Sequence, residues 1–226
     1  MTHPQADVVF LVDVDNTLLD NGRLIADFRR ELVRVFGAEG DRRYWEIFEE
    51  LFIGPGFADY FGALQRYSLE LGRDPRVFDI SRFLLQYPFA DRVYPRALDV
   101  IAALGRRGPV VIVSDGDVAY QPHKIERSGL ADAARGAGAG GNVLVYVHKE
   151  TMLDDIERRH PARRYVMVED KIFILAAMKA VWKDRLKTVF VRQGHYAHDA
   201  KLLAAWPPAD VAVDAIGDLI GLADSL

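Results

Sequence analysis

The chain contains no cysteine. Disulfides and thiolate metal sites are therefore excluded, and any metal must be held by oxygen or imidazole. No apolar run approaches the ~18 residues that a membrane-spanning helix needs. The start, MTHPQADVV, lacks a basic segment followed by a long apolar one, so no secretory leader is expected. With a formal charge of -4, nothing argues for nucleic acid or an anionic membrane surface as a partner. These absences leave a soluble, cytoplasmic protein as the expectation. At 226 residues the chain is long for one simple domain and short for two, which fits a single core carrying a large insertion.

What is present is an alternation. Short, continuously apolar runs occur at 7–12 (DVVFLV), 109–113 (PVVIV), 142–147 (NVLVYV), 165–168 (YVMV) and 188–191 (TVFV). Each is too short for a helix and reads as a strand buried on both faces. Helical patterns lie between them at 95–107, where Pro95 suits the first helical position, and at 116–128, 150–159 and 171–183. Strand and helix in alternation predict a Rossmann-like α/β core with a parallel sheet.

From about 22 to 91 no strand is readable. Leu24, Ile25, Phe28, Leu32 and Phe36 follow helical spacing, as do Trp45, Phe48 and Phe52, then Tyr60, Leu64, Tyr67 and Leu71, then Val77, Ile80 and Leu84. Gly37, Gly54-Pro55-Gly56 and the stretch from Gly72 to Pro75 punctuate them. An all-helical cap over 22–91, inserted after the first strand of a core formed by 1–21 and 92–226, is the expected division. Most of Phe28, Trp45, Phe48, Phe52, Tyr60 and Phe61 are expected in the cap interior, a few against substrate. Gly54-Pro55-Gly56 is the candidate substrate-facing turn.

Each predicted strand runs into polar residues: Asp13 and Asp15, then Ser114-Asp115-Gly116, then His148-Lys149, then Glu169-Asp170-Lys171, then Arg192-Gln193-Gly194. Parallel pairing brings these groups to one sheet edge, where ligands of open α/β sheets bind. Carboxylates are hard ligands that suit Mg²⁺, while a lysine and a small Ser-Asp-Gly turn suit a phosphoryl group.

In this order, the residues resemble the four motifs of the haloacid dehalogenase (HAD) superfamily in its phosphatase branch. Asp13-Val14-Asp15-Asn16-Thr17 resembles DxDx[TV], the specific motif; Ser114 and Lys149 match the single-residue second and third motifs, and Glu169-Asp170 a paired-acid fourth. The resemblance covers nearly the whole chain and implies a C1-type cap. It implies Mg²⁺-dependent hydrolysis of a small phosphorylated metabolite, with Asp13 as nucleophile and Asp15 as acid and base. Metal ligation would fall to Asp13, the Asp15 carbonyl and Asp170, and phosphate binding to Ser114, Asp115 and Lys149, with Thr17 steadying the turn. Asn16 in place of a common Gly, Glu150 in place of Pro and Glu169 in place of Gly or Asp depart from the pattern. Haloacid dehalogenases lack a second acid at the position of Asp15, which favours phosphoryl chemistry. A phosphomutase, or a phosphometabolite-binding protein without catalysis, would use the same residues. Sugar phosphates, phosphoglycolate-like acids and nucleoside monophosphates all stay open.

Competing readings are weaker. A calcium loop would need Gly and Glu where Leu18 and Leu24 stand. Ser114 also suits a helix N-cap. Lys124 rivals Lys149 for phosphate, but its place inside a helical pattern disfavours it. The GxGxxG match at 136–141 precedes a strand instead of following one, so it reads as a loop. His195 and His198 lack the companions of a zinc site and read as loop residues, and Arg23 as a surface residue.

Overall fold

A computed structural model describes residues 5–53, 57–137 and 143–226. Gly54-Pro55-Gly56 and most of the glycine-rich stretch at 136–141 lie outside them. Among the described residues the strands are β1 (Ala6–Val12), β2 (Val110–Asp115), β3 (Val143–Tyr146), β4 (Ala162–Glu169), β5 (Leu186–Val191) and β6 (Val211–Val213). They form one sheet in the order β3-β2-β1-β4-β5-β6, and every pairing is parallel. Strand alternation sorts the side chains. Val8, Phe10 and Val12 enter one hydrophobic core and Val9 and Leu11 the other, so both faces of β1 are covered.

The helical insertion follows β1. Helices α1 (Asn21–Ile53), α2 (Tyr60–Glu70) and α3 (Val77–Gln86) precede the first core helix, α4 (Ala97–Gly105). α1 breaks at Gly37, whose φ of 76° is the left-handed region that glycine enters at least cost. The halves fold back on one another about that point: Phe28 meets Tyr44 at 5.1 Å and Trp45 at 5.9 Å between ring centroids. Phe28, Tyr44, Trp45 and Tyr60 are 7% exposed or less and form an aromatic core for the insertion. Edge-on ring pairs of this kind add about 0.5–1.5 kcal/mol each beyond area burial. The outgoing and returning chains run side by side, joined by Asp20 N to Arg92 O (2.8 Å) and Tyr94 N to Leu18 O (2.9 Å).

The remaining helices are α5 (Tyr120–Arg127), α6 (Leu130–Gly136), α7 (Leu153–Arg159), α8 (Ile172–Trp182) and α9 (Ala200–Ala205). Several expectations need correction. Pro95 does not open α4; Arg96 follows at φ 66°, and the helix begins at Ala97. α5 starts at Tyr120 rather than 116, because the Asp117 carboxylate accepts from Ala119 N (2.9 Å) and Tyr120 N (2.6 Å) and turns the chain first. Residues 149–151 form a 3₁₀ turn, so α7 begins only at Leu153. β4 starts at Ala162, three residues before the apolar run: Arg163 and Arg164 are exposed strand residues that hide its first turn from a hydrophobicity reading. β6, α6 and α9 were not anticipated; they are short, and β6 is buried only at Val213.

Candidate active site

Strand order places the site. β1 is central, with β2 on one side and β4 on the other, and the direction of winding reverses between β1 and β4. Such a switch point leaves a crevice beyond the strand ends. Asp13 leaves β1 there, its backbone N–H donating to Val168 O of β4 at 3.0 Å. Ser114 and Asp115 end β2, Lys149 follows β3, and Glu169 and Asp170 end β4.

The turn after β1 is tightly built. Leu18 N and Leu19 N both donate to Val14 O at 2.9 Å. Asn16 adopts φ 63°, a conformation Asn tolerates better than most residues, which is why it stands where Gly is common. The loop after β5 braces this turn. Gln193 Nε2 donates to Asn16 O (3.3 Å) and Thr17 O (3.2 Å), while Gly194 lies so close that an added Cβ would stand 2.5 Å from Asn16 Cβ. Thr17 takes part through its backbone; among the described residues its buried hydroxyl has no hydrogen-bond partner.

Asp13, Glu169 and Asp170 are buried and present oxygens within 4.8 Å of one another. Lys149 is fully buried, hydrogen-bonds Asp13 Oδ1 and pairs with Glu169 Oε2 at 2.6 Å. Its backbone N–H donates to Asp115 Oδ1 at 2.8 Å, so that carboxylate anchors the Lys149 loop. Burial and the Glu169 charge push Asp13 up to about 7. Burial, Glu169 and Asp13 push Asp170 up to about 10. Glu169 is also pushed up by burial, but Lys149 and Lys171 outweigh this and hold it low. Among the described residues Asp13 Oδ2 and both Asp170 oxygens accept no hydrogen bond. Buried carboxylates left this way are costly unless a further cation faces them. Three close oxygen donors with free lone pairs fit a hard divalent ion such as Mg²⁺. Glu169, not among the ligands that the resemblance implies, belongs to this cluster, although Lys149 also claims it.

A stability prediction follows. Between pH 3.8 and about 7 the folded state holds the Asp13 proton more tightly than the unfolded chain, so stability falls as pH rises; Asp170 extends that window to about 10. Glu169, held low, and Lys149, held high, add no opposing slope between pH 5 and 9. Each linked proton is worth at most about 1.4 kcal/mol per pH unit. In chelator, Tm is expected to be lower at pH 8 than at pH 5, and Mg²⁺ to raise it at pH 8. A Tm at pH 8 that ignores Mg²⁺ would remove the metal from this cluster.

Asp15 lies higher in the crevice, its side chain 23% exposed. Lys124, 1% exposed, donates to both of its oxygens at 2.6 and 2.8 Å and reaches Asn21 Oδ1 at 3.3 Å. Gln121 bridges Asp15 Oδ2 (3.1 Å) and Ser114 Oγ (2.7 Å). Ser114 is therefore no N-cap: it sits in β2, six residues before α5, with its hydroxyl facing Gln121. Helical membership had counted against Lys124, yet the helix is what aims it. Gln121 and Lys124 are three apart on α5 and share a face. That spacing was the available signal, and Gln121 was missed. Above Asp15 and Asp115 a cavity of about 320 Å³ separates the core from the insertion, with His195 at its margin. His198 is exposed, and Arg23 pairs with Asp27 on the surface at 3.4 Å.

A family model of haloacid dehalogenase-like hydrolases matches residues 8–181. The chain belongs to that family. A solved haloacid dehalogenase-like hydrolase of Burkholderia xenovorans LB400 is 56% identical, with a TM-score of 0.89 over 97% of this chain and 98% of that one. More distant HAD structures share the fold. An L-2-haloacid dehalogenase of Xanthobacter autotrophicus is 17% identical (TM-score 0.60; 98% and 100% of the two chains). A magnesium-bound HAD hydrolase of Bacillus subtilis is 15% identical (TM-score 0.64; 97% and 100%). No curated protein sequence matches the chain. Among the described residues of this HAD-like hydrolase, no helix is long and apolar enough to cross a membrane.

Proposed function

We propose that this hydrolase is a Mg²⁺-dependent phosphatase acting on small phosphate monoesters through an aspartyl-phosphate on Asp13. The observation that carries the reading is the second carboxylate, Asp15, two residues past the buried Asp13, partly exposed and lining the cavity. Displacement of a halide needs no proton, because halide is a weak base. Expulsion of an alkoxide does need one, and a general acid at the leaving oxygen supplies it. An acid beside the nucleophile thus favours an ester substrate over a halide.

Asp13 would attack with one carboxylate oxygen and offer the other to the metal, beside the Lys149 ammonium that donates to Oδ1. Its attack forms the Asp13 O–P bond and breaks the P–O bond to the leaving group, to which Asp15 gives a proton. Water then adds to phosphorus, Asp15 takes its proton, and the Asp13 O–P bond breaks. Lys124 and Gln121 fix the position of Asp15 through both steps. Lys149 offsets charge beside Asp13, while the Ser114 and Thr17 hydroxyls would bind phosphoryl oxygens. Asp13 and Asp170, with Glu169 or the Asp15 carbonyl, would hold Mg²⁺, which supplies charge neutralisation at the phosphoryl oxygens.

Phosphate release from a panel of monoesters, with Mg²⁺ and with chelator, tests this. Metal-dependent release is expected, and Asp170→Ala should raise the Mg²⁺ needed for half-maximal rate by about tenfold or more. Release that ignores chelator would remove the metal from the reading. Bisphosphate product in place of free phosphate would turn the reading to a mutase. An Asp170→Ala enzyme with an unchanged Mg²⁺ titration would place the ligand elsewhere.

A further inference from the structure

We infer that the ester hydrolysed here carries an aromatic ring on its leaving group; this rests on the phosphatase reading above. The cavity over Asp15 has two facing apolar walls. Phe48, Phe52 and Phe57 come from the insertion, and Phe173 and Tyr196 from the core. Phe173 and Tyr196 meet edge-on at 6.2 Å. The insertion does not need Phe52 for its own packing. Its aromatic core is 7% exposed or less, whereas Phe52 is 46% exposed and borders the cavity. A large apolar side chain held open beside a catalytic crevice marks a contact surface.

Three of the polar side chains that line the cavity are already engaged. Asp15 is held by Lys124 and Gln121, Asp115 Oδ1 by the Lys149 backbone, and Asn21 Oδ1 by Lys124. A sugar hydroxyl set against these ring faces would lose its water without a replacement partner there. A planar ring between Phe52 and Phe173 loses no hydrogen bond and gains ring contacts on both sides. At about 320 Å³ the space is large enough for one ring and a short linker.

The test compares 2-phenylethyl phosphate with glycerol 3-phosphate, both esters of primary alcohols, so that leaving-group acidity differs little. Acetyl phosphate, which carries no ring, serves as the control for phosphoryl chemistry itself. With Mg²⁺, kcat/KM for the phenylethyl ester is expected to exceed that for glycerol 3-phosphate by about tenfold or more, chiefly through KM. Phe52→Ala and Phe173→Ala are each expected to shrink that ratio by about threefold or more. A ratio near one, or a ratio that neither replacement changes, overturns the inference and leaves the phosphatase reading standing, provided acetyl phosphate is turned over. Failure to release phosphate from any of the three overturns both.

Discussion

Asp13→Asn is expected to lower phosphate release by on the order of 10⁴-fold or more, the scale seen when a nucleophile is removed from a catalytic unit. The amide oxygen can still accept from Lys149, and it lacks the lone-pair charge to attack phosphorus. The same substitution relieves the folded state. Asp13 is pushed up to about 7 by burial and by Glu169, so its charge opposes folding at pH 8 when no metal is bound. In chelator at pH 8 the variant is therefore expected to melt at or above the wild-type temperature. Its rise in Tm on adding Mg²⁺ should be smaller than that of the wild type. Loss of activity with an intact or raised Tm separates a chemical role from a structural one. Turnover close to wild type would take Asp13 out of the nucleophile position.

Lys149→Met is expected to give the largest loss of stability. The ammonium is fully buried and contacts Asp13 and Glu169. Methionine fills similar space but leaves Asp13 and Glu169 without the ammonium that faces both. Removing one partner of a buried charge pair costs roughly 3–5 kcal/mol. At about 2–4 °C per kcal/mol for a chain of this size, Tm should fall by roughly 6–20 °C. Adding Asp13→Asn to the same chain should recover part of that loss, because it removes one of the stranded charges. A Lys149→Met protein that melts with the wild type in chelator would mean that the carboxylates have found another cation.

Much of the architecture was written locally. Five of the six strands show as short apolar runs, and the helical stretch after Thr17 shows in the 3.6-residue spacing of Leu24, Phe28 and Leu32. Those signals survive because each element buries a face whose period a sequence displays directly. Boundaries that depend on side-chain hydrogen bonds did not show. Asp117 delays α5, and no apolar pattern records it. The exposed Arg163 and Arg164 conceal the start of β4.

The candidate site divides in the same way. By itself the sequence determined which chemistry the chain can hold: two acids two apart at a strand end, a Ser-Asp-Gly turn, a lysine and a further acid pair, each following a strand. Chain order carries that information because parallel strands all deliver their ends to one edge. Only the tertiary structure decided who faces whom. It set Lys149 against Asp13, turned Lys124 and Gln121 onto Asp15, and brought Gln193 back under the turn at Asn16. It also separated the buried aromatics of the insertion from Phe52, which helical spacing treats alike. The physical reason is that contacts across more than a hundred residues are fixed by strand order and helix rotation, and local spacing encodes neither.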